Sequence, residues 1–222
     1  MKKLKVKQDD PETIALCKTD RQMKKLVQAV GDVETVMRPD LFKSLVRSMI
    51  GQQISVHAAK AIFTRLETLM NYTISAEGIL QKHEDELRSI GLSGRKVVYL
   101  RDLAEKVKCN EVNLEKLDDH NNQSVIKQLT SIKGIGKWTA EMFLIFSLGR
   151  MDVLAIDDIG LQRGAKWLYG VEKSERKGIL LEKKPCWSPY LTTASLYLWE
   201  VVHLDFERKY TGIDEALADR MN

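Results

Sequence analysis

The stretch Ser124-Val-Ile-Lys-Gln-Leu-Thr-Ser-Ile-Lys-Gly-Ile-Gly-Lys-Trp-Thr-Ala-Glu141 decides how this chain is read. A short apolar helix ends near Leu129, a Gly-Ile-Gly turn follows, and a longer helix begins near Lys137. Gly134 and Gly136 allow positive φ and close approach of a ligand to the backbone. Their N–H groups stand just ahead of a helix N-terminus, a natural phosphate site, and Lys133 and Lys137 add charge on either side. A bare Gly-Ile-Gly is more often a plain turn between packed helices. The longer string around it is what favours a functional reading.

On both sides of this hairpin the apolar pattern is helical. Phe42, Leu45, Val46, Met49 and Ile50 follow the spacing of one helix face, as do Ala59, Ile62, Phe63, Leu66 and Leu69. Val97, Leu100, Leu103, Ala104 and Val107 repeat it after the turn-like Gly91-Leu-Ser-Gly94. Met142 to Leu148 is apolar almost all round, which predicts a central buried helix. No long period-two alternation occurs, so the expected class is all-α. Breaks are expected at Arg38-Pro39-Asp40 and at Gly149-Arg-Met-Asp152. They divide the chain into a central helical lobe, 39–150, ending in the hairpin, and a second lobe made of 1–38 plus 151–222.

Composition narrows the class of function. The 222 residues include 35 Lys and Arg against 31 Asp and Glu, a net charge of +4 that permits a nucleic-acid partner without requiring one. Hydrophobic content of 44% and charged content of 30% are those of an ordinary globular protein. Cys17, Cys109 and Cys186 lie far apart, which excludes a disulfide framework, a zinc ribbon and an iron–sulfur cluster. His57, His83, His120 and His203 show no metal-ligand spacing. The start, Met1-Lys-Lys-Leu-Lys-Val-Lys7, lacks the apolar run of a signal peptide, and no segment reaches the ~20 apolar residues of a membrane span. The expectation is an intracellular location, in cytoplasm and nucleoid or in a nucleus.

The string Leu-x-x-Ile-x-Gly-Ile-Gly-x-Trp-Thr-Ala-Glu, from Leu129 to Glu141, closely resembles the signature hairpin of the helix-hairpin-helix DNA glycosylases. Within that superfamily it is similar to the 3-methyladenine DNA glycosylase II branch, in a compact form without an N-terminal β domain. The resemblance implies two helical lobes with a base-binding cleft between them, the hairpin gripping the DNA backbone through Lys133, Gly134, Gly136 and Lys137. It also implies a monovalent or other simple cation on the backbone carbonyls of Thr130, Ile132 and Ile135. No other cofactor is expected.

Asp157-Asp158 follows the hairpin in Val153-Leu-Ala-Ile-Asp-Asp-Ile-Gly-Leu-Gln-Arg163. The bland reading is a helix N-cap. The segment resembles the superfamily's catalytic element, in which an Asp opens a helix. Aligned from Asp158, with Arg163 at a position that is often basic, it gives catalysis to Asp158 and capping or support to Asp157; a shift of one residue would exchange them. One carboxylate suits the chemistry. An anion stabilises an oxocarbenium-like sugar, and a cationic alkylpurine leaves without needing a second acid.

Trp138 follows the hairpin and Met142 lies one turn on, a candidate wall for an extruded base, though Trp138 could equally be a core anchor. Lys184-Pro-Cys-Trp-Ser-Pro-Tyr190 resembles the family's Trp-x-Pro-aromatic-Arg-Ser segment, which makes Tyr190 a further pocket residue. Leu191 and Thr192 depart from its Arg-Ser, which puts a neighbouring phosphate contact or helix cap in doubt. Gly51-Gln-Gln-Ile-Ser55 resembles the loop that enters the duplex, with Gln53 filling the hole left by the flipped base. Gly91-Leu-Ser-Gly-Arg-Lys96 also matches the branch, with Arg95 and Lys96 read as structural or backbone contacts.

These features predict a monomer acting on damaged double-stranded DNA: a monofunctional glycosylase releasing alkylated purines, 3-methyladenine first and 7-methylguanine second. A lyase would need Lys at 138, and Lys137 is one residue off. A non-catalytic lesion-binding module is the alternative from another class.

Overall fold

The computed structural model describes residues 2–221. In chain order it runs β1 (Lys3–Val6), α1 (Pro11–Thr19), α2 (Arg21–Val30), β2 (Val33–Val36), α3 (Leu41–Gly51), α4 (Val56–Leu69), α5 (Ala76–Gln81), α6 (Glu84–Ser89) and α7 (Gly94–Lys108). It continues with α8 (Asn122–Thr130), α9 (Lys137–Phe143), α10 (Ile159–Tyr169), α11 (Arg176–Trp187), α12 (Leu191–His203), α13 (Phe206–Lys209) and α14 (Ile213–Met221). The chain divides into two units, Arg38–Leu148 and Met1–Met37 with Gly149–Asn222.

In the unit 38–148, helix starts are set by side-chain caps. Asp40, Ser55, Ser93 and Asn121 each accept a backbone N–H of the first turn of α3, α4, α7 and α8. Asp40 is the cap of α3, so Pro39 precedes the helix instead of occupying its first position. Leu45, Val46, Met49, Ile50, Leu66, Leu100, Leu103 and Leu129 are fully buried, the faces that their spacing defines. One expectation fails. The segment 142–148 is not buried all round: Met142 and Phe146, four residues apart, are half-buried on one side and line a cavity. The backbone also widens from α9 into a π-helical stretch, Leu144–Leu148, a distortion common near functional sites.

The other unit contains a two-stranded sheet that period-two reading did not find. β1 and β2 pair antiparallel, with Lys5 opposite Glu34, and the Lys5 ammonium lies 3.0 Å from that carboxylate. Four-residue strands are too short for alternation to stand out. The centre of this unit is Asp20, buried and fully engaged. Its Oδ1 accepts the amides of Gln22 and Met23, capping α2, and its Oδ2 accepts the Tyr169 hydroxyl at 2.6 Å and the Trp187 indole N–H at 3.0 Å. One carboxylate thus ties α2, α10 and α11, and a buried charge with several donors is well compensated.

α10 and α12 cross closely because α10 carries glycines four residues apart. A Cβ on Gly164 would fall 2.2 Å from the Leu198 carbonyl oxygen, and one on Gly160 would fall 3.1 Å from Cδ1 of Trp199. Only glycine permits this approach of backbones.

Candidate active site and nucleic-acid interface

The close crossing of α10 and α12 fixes the surroundings of Asp158. Asp158 caps α10, its Oδ1 accepting the Leu161 amide at 2.8 Å and the Trp199 indole N–H at 2.9 Å. The carboxylate is half-buried at the N-terminal end of α10, where the helix dipole is positive. Asp157 does not share this duty. It is exposed and pairs with Lys177, so the expectation of Asp157 as the cap is corrected. A φ of −71° and ψ of 124° at Asp158 place the extended cap residue at 158, one position later than that expectation. Arg163 pairs with Glu207.

The segment leading to Asp158 is pinned by the start of α12. The Thr192 hydroxyl donates to the Arg150 carbonyl at 2.7 Å and accepts the Val153 amide at 3.2 Å, and the Thr192 amide donates to Met151. Leu191 and Thr192 are buried. The departure from Arg-Ser therefore places an internal anchor where a phosphate contact would have needed an exposed side chain. Tyr190 is half-buried just before α12, its amide bonded to the Trp187 carbonyl.

In the unit 38–148 a cavity of about 470 Å³ opens against Trp138, Met142 and Phe146. Trp138 is 45% exposed, so it is not a core anchor. The same cavity is lined by Arg38, Arg47 and Lys60, which sequence reasoning did not single out. Arg38 lies 5.9 Å from the Phe146 ring centre and Arg47 4.7 Å from that of Phe63, both in cation–π range. Loss of water, and then the neighbouring Arg47, hold the Arg38 guanidinium below its usual range. Their signal was weak, since a single arginine at a break (Arg38) or on a helix (Arg47) reads as solvated.

The hairpin itself joins α8 to α9 through a turn closed by the Ile135 amide on the Ile132 carbonyl at 3.1 Å. Gly134 has φ +83°, and the Tyr99 ring occupies the place of any side chain there, 2.2 Å from a Cβ. Gly136 differs from expectation. It has φ −91° with open space around a Cβ, so the fold itself does not require glycine at this position. Lys133 and Lys137 reach Asp102 and Glu141 at 3.5 Å with their ammonium groups largely in solvent. Gln53 is exposed with φ +58°, an uncommon backbone for a residue with a side chain. Ile54 and Val56 beside it are exposed apolar residues.

Among the described residues, no group of three or more His, Cys, Asp or Glu is placed to hold a metal ion, and no helix is long and apolar enough to cross a membrane.

An all-α protein with a helix-hairpin-helix and a carboxylate held at a helix start by an indole is the class that this geometry defines. The sequence model of the HhH-GPD superfamily of base excision DNA repair proteins matches residues 46–187, and the chain belongs to that superfamily. It is 33% identical over 197 residues to DNA-3-methyladenine glycosylase 1 of Schizosaccharomyces pombe, covering 86% of each chain. The crystal structure of a DNA-3-methyladenine glycosidase from Bacillus halodurans superimposes with a TM-score of 0.90 at 38% identity, over 97% of this chain and 99% of that one. The S. pombe 3-methyladenine DNA glycosylase in complex with abasic DNA gives 0.77 at 32% identity, over 86% and 96%.

Proposed function

We infer that the protein is a monofunctional DNA glycosylase of base excision repair that releases alkylated purines from damaged duplex DNA. The observation that carries the reading is Asp158, a carboxylate locked at the start of α10 by Leu161 and Trp199. As the C1′–N bond breaks, its electron pair leaves with the base and neutralises the positive charge that alkylation put there. The sugar becomes oxocarbenium-like, and the Asp158 anion stabilises it. Water then adds to C1′ and loses a proton, with the carboxylate as acceptor, leaving an abasic site and the free base. No lysine adduct forms in this scheme, since Trp138 stands where a lyase needs its amine.

Trp138 and Met142 form the base-binding wall in the unit 38–148. An indole face adds ~0.5–2 kcal/mol of cation–π attraction for a cationic purine over a neutral one. Arg38 and Arg47 line the same cavity and can donate to an acceptor edge such as the O6 of 7-methylguanine. Lys133, Gly134, Gly136 and Lys137 take the DNA backbone, and Gln53 enters the duplex. The chemistry needs no organic cofactor. The neutral oxygens of Thr130, Ile132 and Ile135 suit a monovalent cation, which would add positive charge beside the gripped phosphate.

The test is single-turnover base release from methylated duplex DNA by the intact protein and by Asp158→Asn. Asn caps helices as well as Asp does, so the variant keeps its fold. Release of 3-methyladenine by the intact protein, slowed at least ~100-fold in the variant, supports the reading. Equal release by both would remove Asp158 from its role. Salt-sensitive DNA binding without release by either would leave a lesion-binding module.

A further inference from the structure

The loop holding Gln53 and the DNA-gripping hairpin are joined at both ends of one helix face. Lys96, Tyr99, Asp102 and Lys106 recur on α7 at helical spacing, so they point the same way. At the first of these, the Lys96 ammonium donates to the carbonyls of Ile50 at 2.5 Å and Gln52 at 3.0 Å, where α3 ends. A cation at a helix C-terminus meets the negative end of the dipole. Arg95 beside it donates to the Gln53 side-chain oxygen at 3.3 Å. Further along, the Tyr99 ring packs on Gly134, Asp102 accepts the Lys133 amide at 2.8 Å, and Lys106 donates to the Ser131 carbonyl. The two sites also touch directly, since Gln52 Nε2 donates to the Gly134 carbonyl at 2.8 Å.

These bonds hold a backbone that would not choose its shape. Gln53 has φ +58°, and a strained residue persists only where its neighbours over-determine it. Lys96 fixes the residue before it, Arg95 its side chain, and Gln52 the distance to the hairpin. We propose that α7 is a strut coupling duplex entry by Gln53 to phosphate binding by the hairpin, with Lys96 and Gln52 as positioning residues. The inference rests on the reading that Gln53 enters the duplex. It assigns a task to the Gly-Leu-Ser-Gly-Arg-Lys motif that the chemistry leaves unused.

The probe is a duplex carrying a stable abasic analogue flanked by 2-aminopurine, whose fluorescence reports insertion into the hole without any base release. Gln53→Ala should abolish the signal. Gln52→Ala and Lys96→Met should each reduce the insertion step by about 10-fold, the size expected of a direct coupling, with affinity for that duplex within about 2-fold. Lys96→Arg, which keeps a cationic donor, should restore insertion. Gln52 is a half-buried loop residue, so its variant tests the coupling even if Lys96→Met unfolds. Wild-type insertion by Gln52→Ala with an unaltered melting temperature overturns the coupling. An unchanged signal in Gln53→Ala removes the duplex-entry reading itself, and the strut falls with it.

Discussion

The indole N–H of Trp199 donates to Oδ1 of Asp158 at 2.9 Å, across 41 residues of sequence, and the same oxygen accepts the Leu161 amide. A helix-capping carboxylate is ordinarily free to pivot on its single backbone bond. Here the indole, which can only donate, holds the carboxylate rotamer.

Trp199→Phe keeps the ring and removes the donor. A hydrogen bond to a charged group is worth about 1.5–3 kcal/mol, so single-turnover base release should fall at least ~10-fold. Affinity for abasic duplex should stay unchanged, because the indole acts through Asp158 in this reading. A parallel loss of affinity and rate would show that Trp199 contacts the DNA instead.

Gly164→Ala tests what brings that pair together. A methyl group 2.2 Å from the Leu198 carbonyl oxygen forces α10 and α12 apart, at a cost of about 1–3 kcal/mol. Since Trp199 follows Leu198, base release should drop by more than the population of folded protein does. Urea unfolding gives the stability, and release assayed well below the unfolding midpoint gives the activity.

If the hairpin lysines take phosphates, as proposed, they set the salt dependence. Lys133→Gln and Lys137→Gln should each weaken duplex binding and reduce the slope of log affinity against log salt by about 0.9, one phosphate contact apiece. Their ion pairs with Asp102 and Glu141 at 3.5 Å are solvent-exposed on the lysine side and give little resistance to exchange for phosphate. A slope that does not change would place the phosphate grip elsewhere.

Alkaline pH should destabilise the unit built around Asp20. Burial, reinforced by the bond to Asp20, pushes the Tyr169 hydroxyl far above the usual phenol range, and burial does the same to Tyr197. Below a pH of about 10 both folded and unfolded chains keep these protons, and the stability is fully present. Above it the unfolded chain ionises while the native one does not, so stability falls by about 1.4 kcal/mol per pH unit for each tyrosine. Urea midpoints measured from pH 8 to 11 should show this decline, and Tyr169→Phe should make it shallower.

The sequence by itself determined the helical class, the buried faces of the main helices, and the hairpin. Each depends on contacts within a few residues: Leu45, Val46, Met49 and Ile50 share a face whatever lies against it. It also placed an Asp at the start of α10, although the bonding pattern shows 158 and not 157 as the cap. The strands β1 and β2 escaped notice because a four-residue strand is defined by its partner, and that partner lies far along the chain. The same reason hid the groups around the candidate site. Trp199 reaches Asp158 only because Gly160 and Gly164 let α12 close on α10; Arg38 and Arg47 meet one cavity only once α3 is seated; Gln52 meets Gly134 only because α7 holds both. Local spacing fixes which face a residue occupies, whereas the identity of its partner is fixed by how closely two backbones can pack, and that was decided by the tertiary structure.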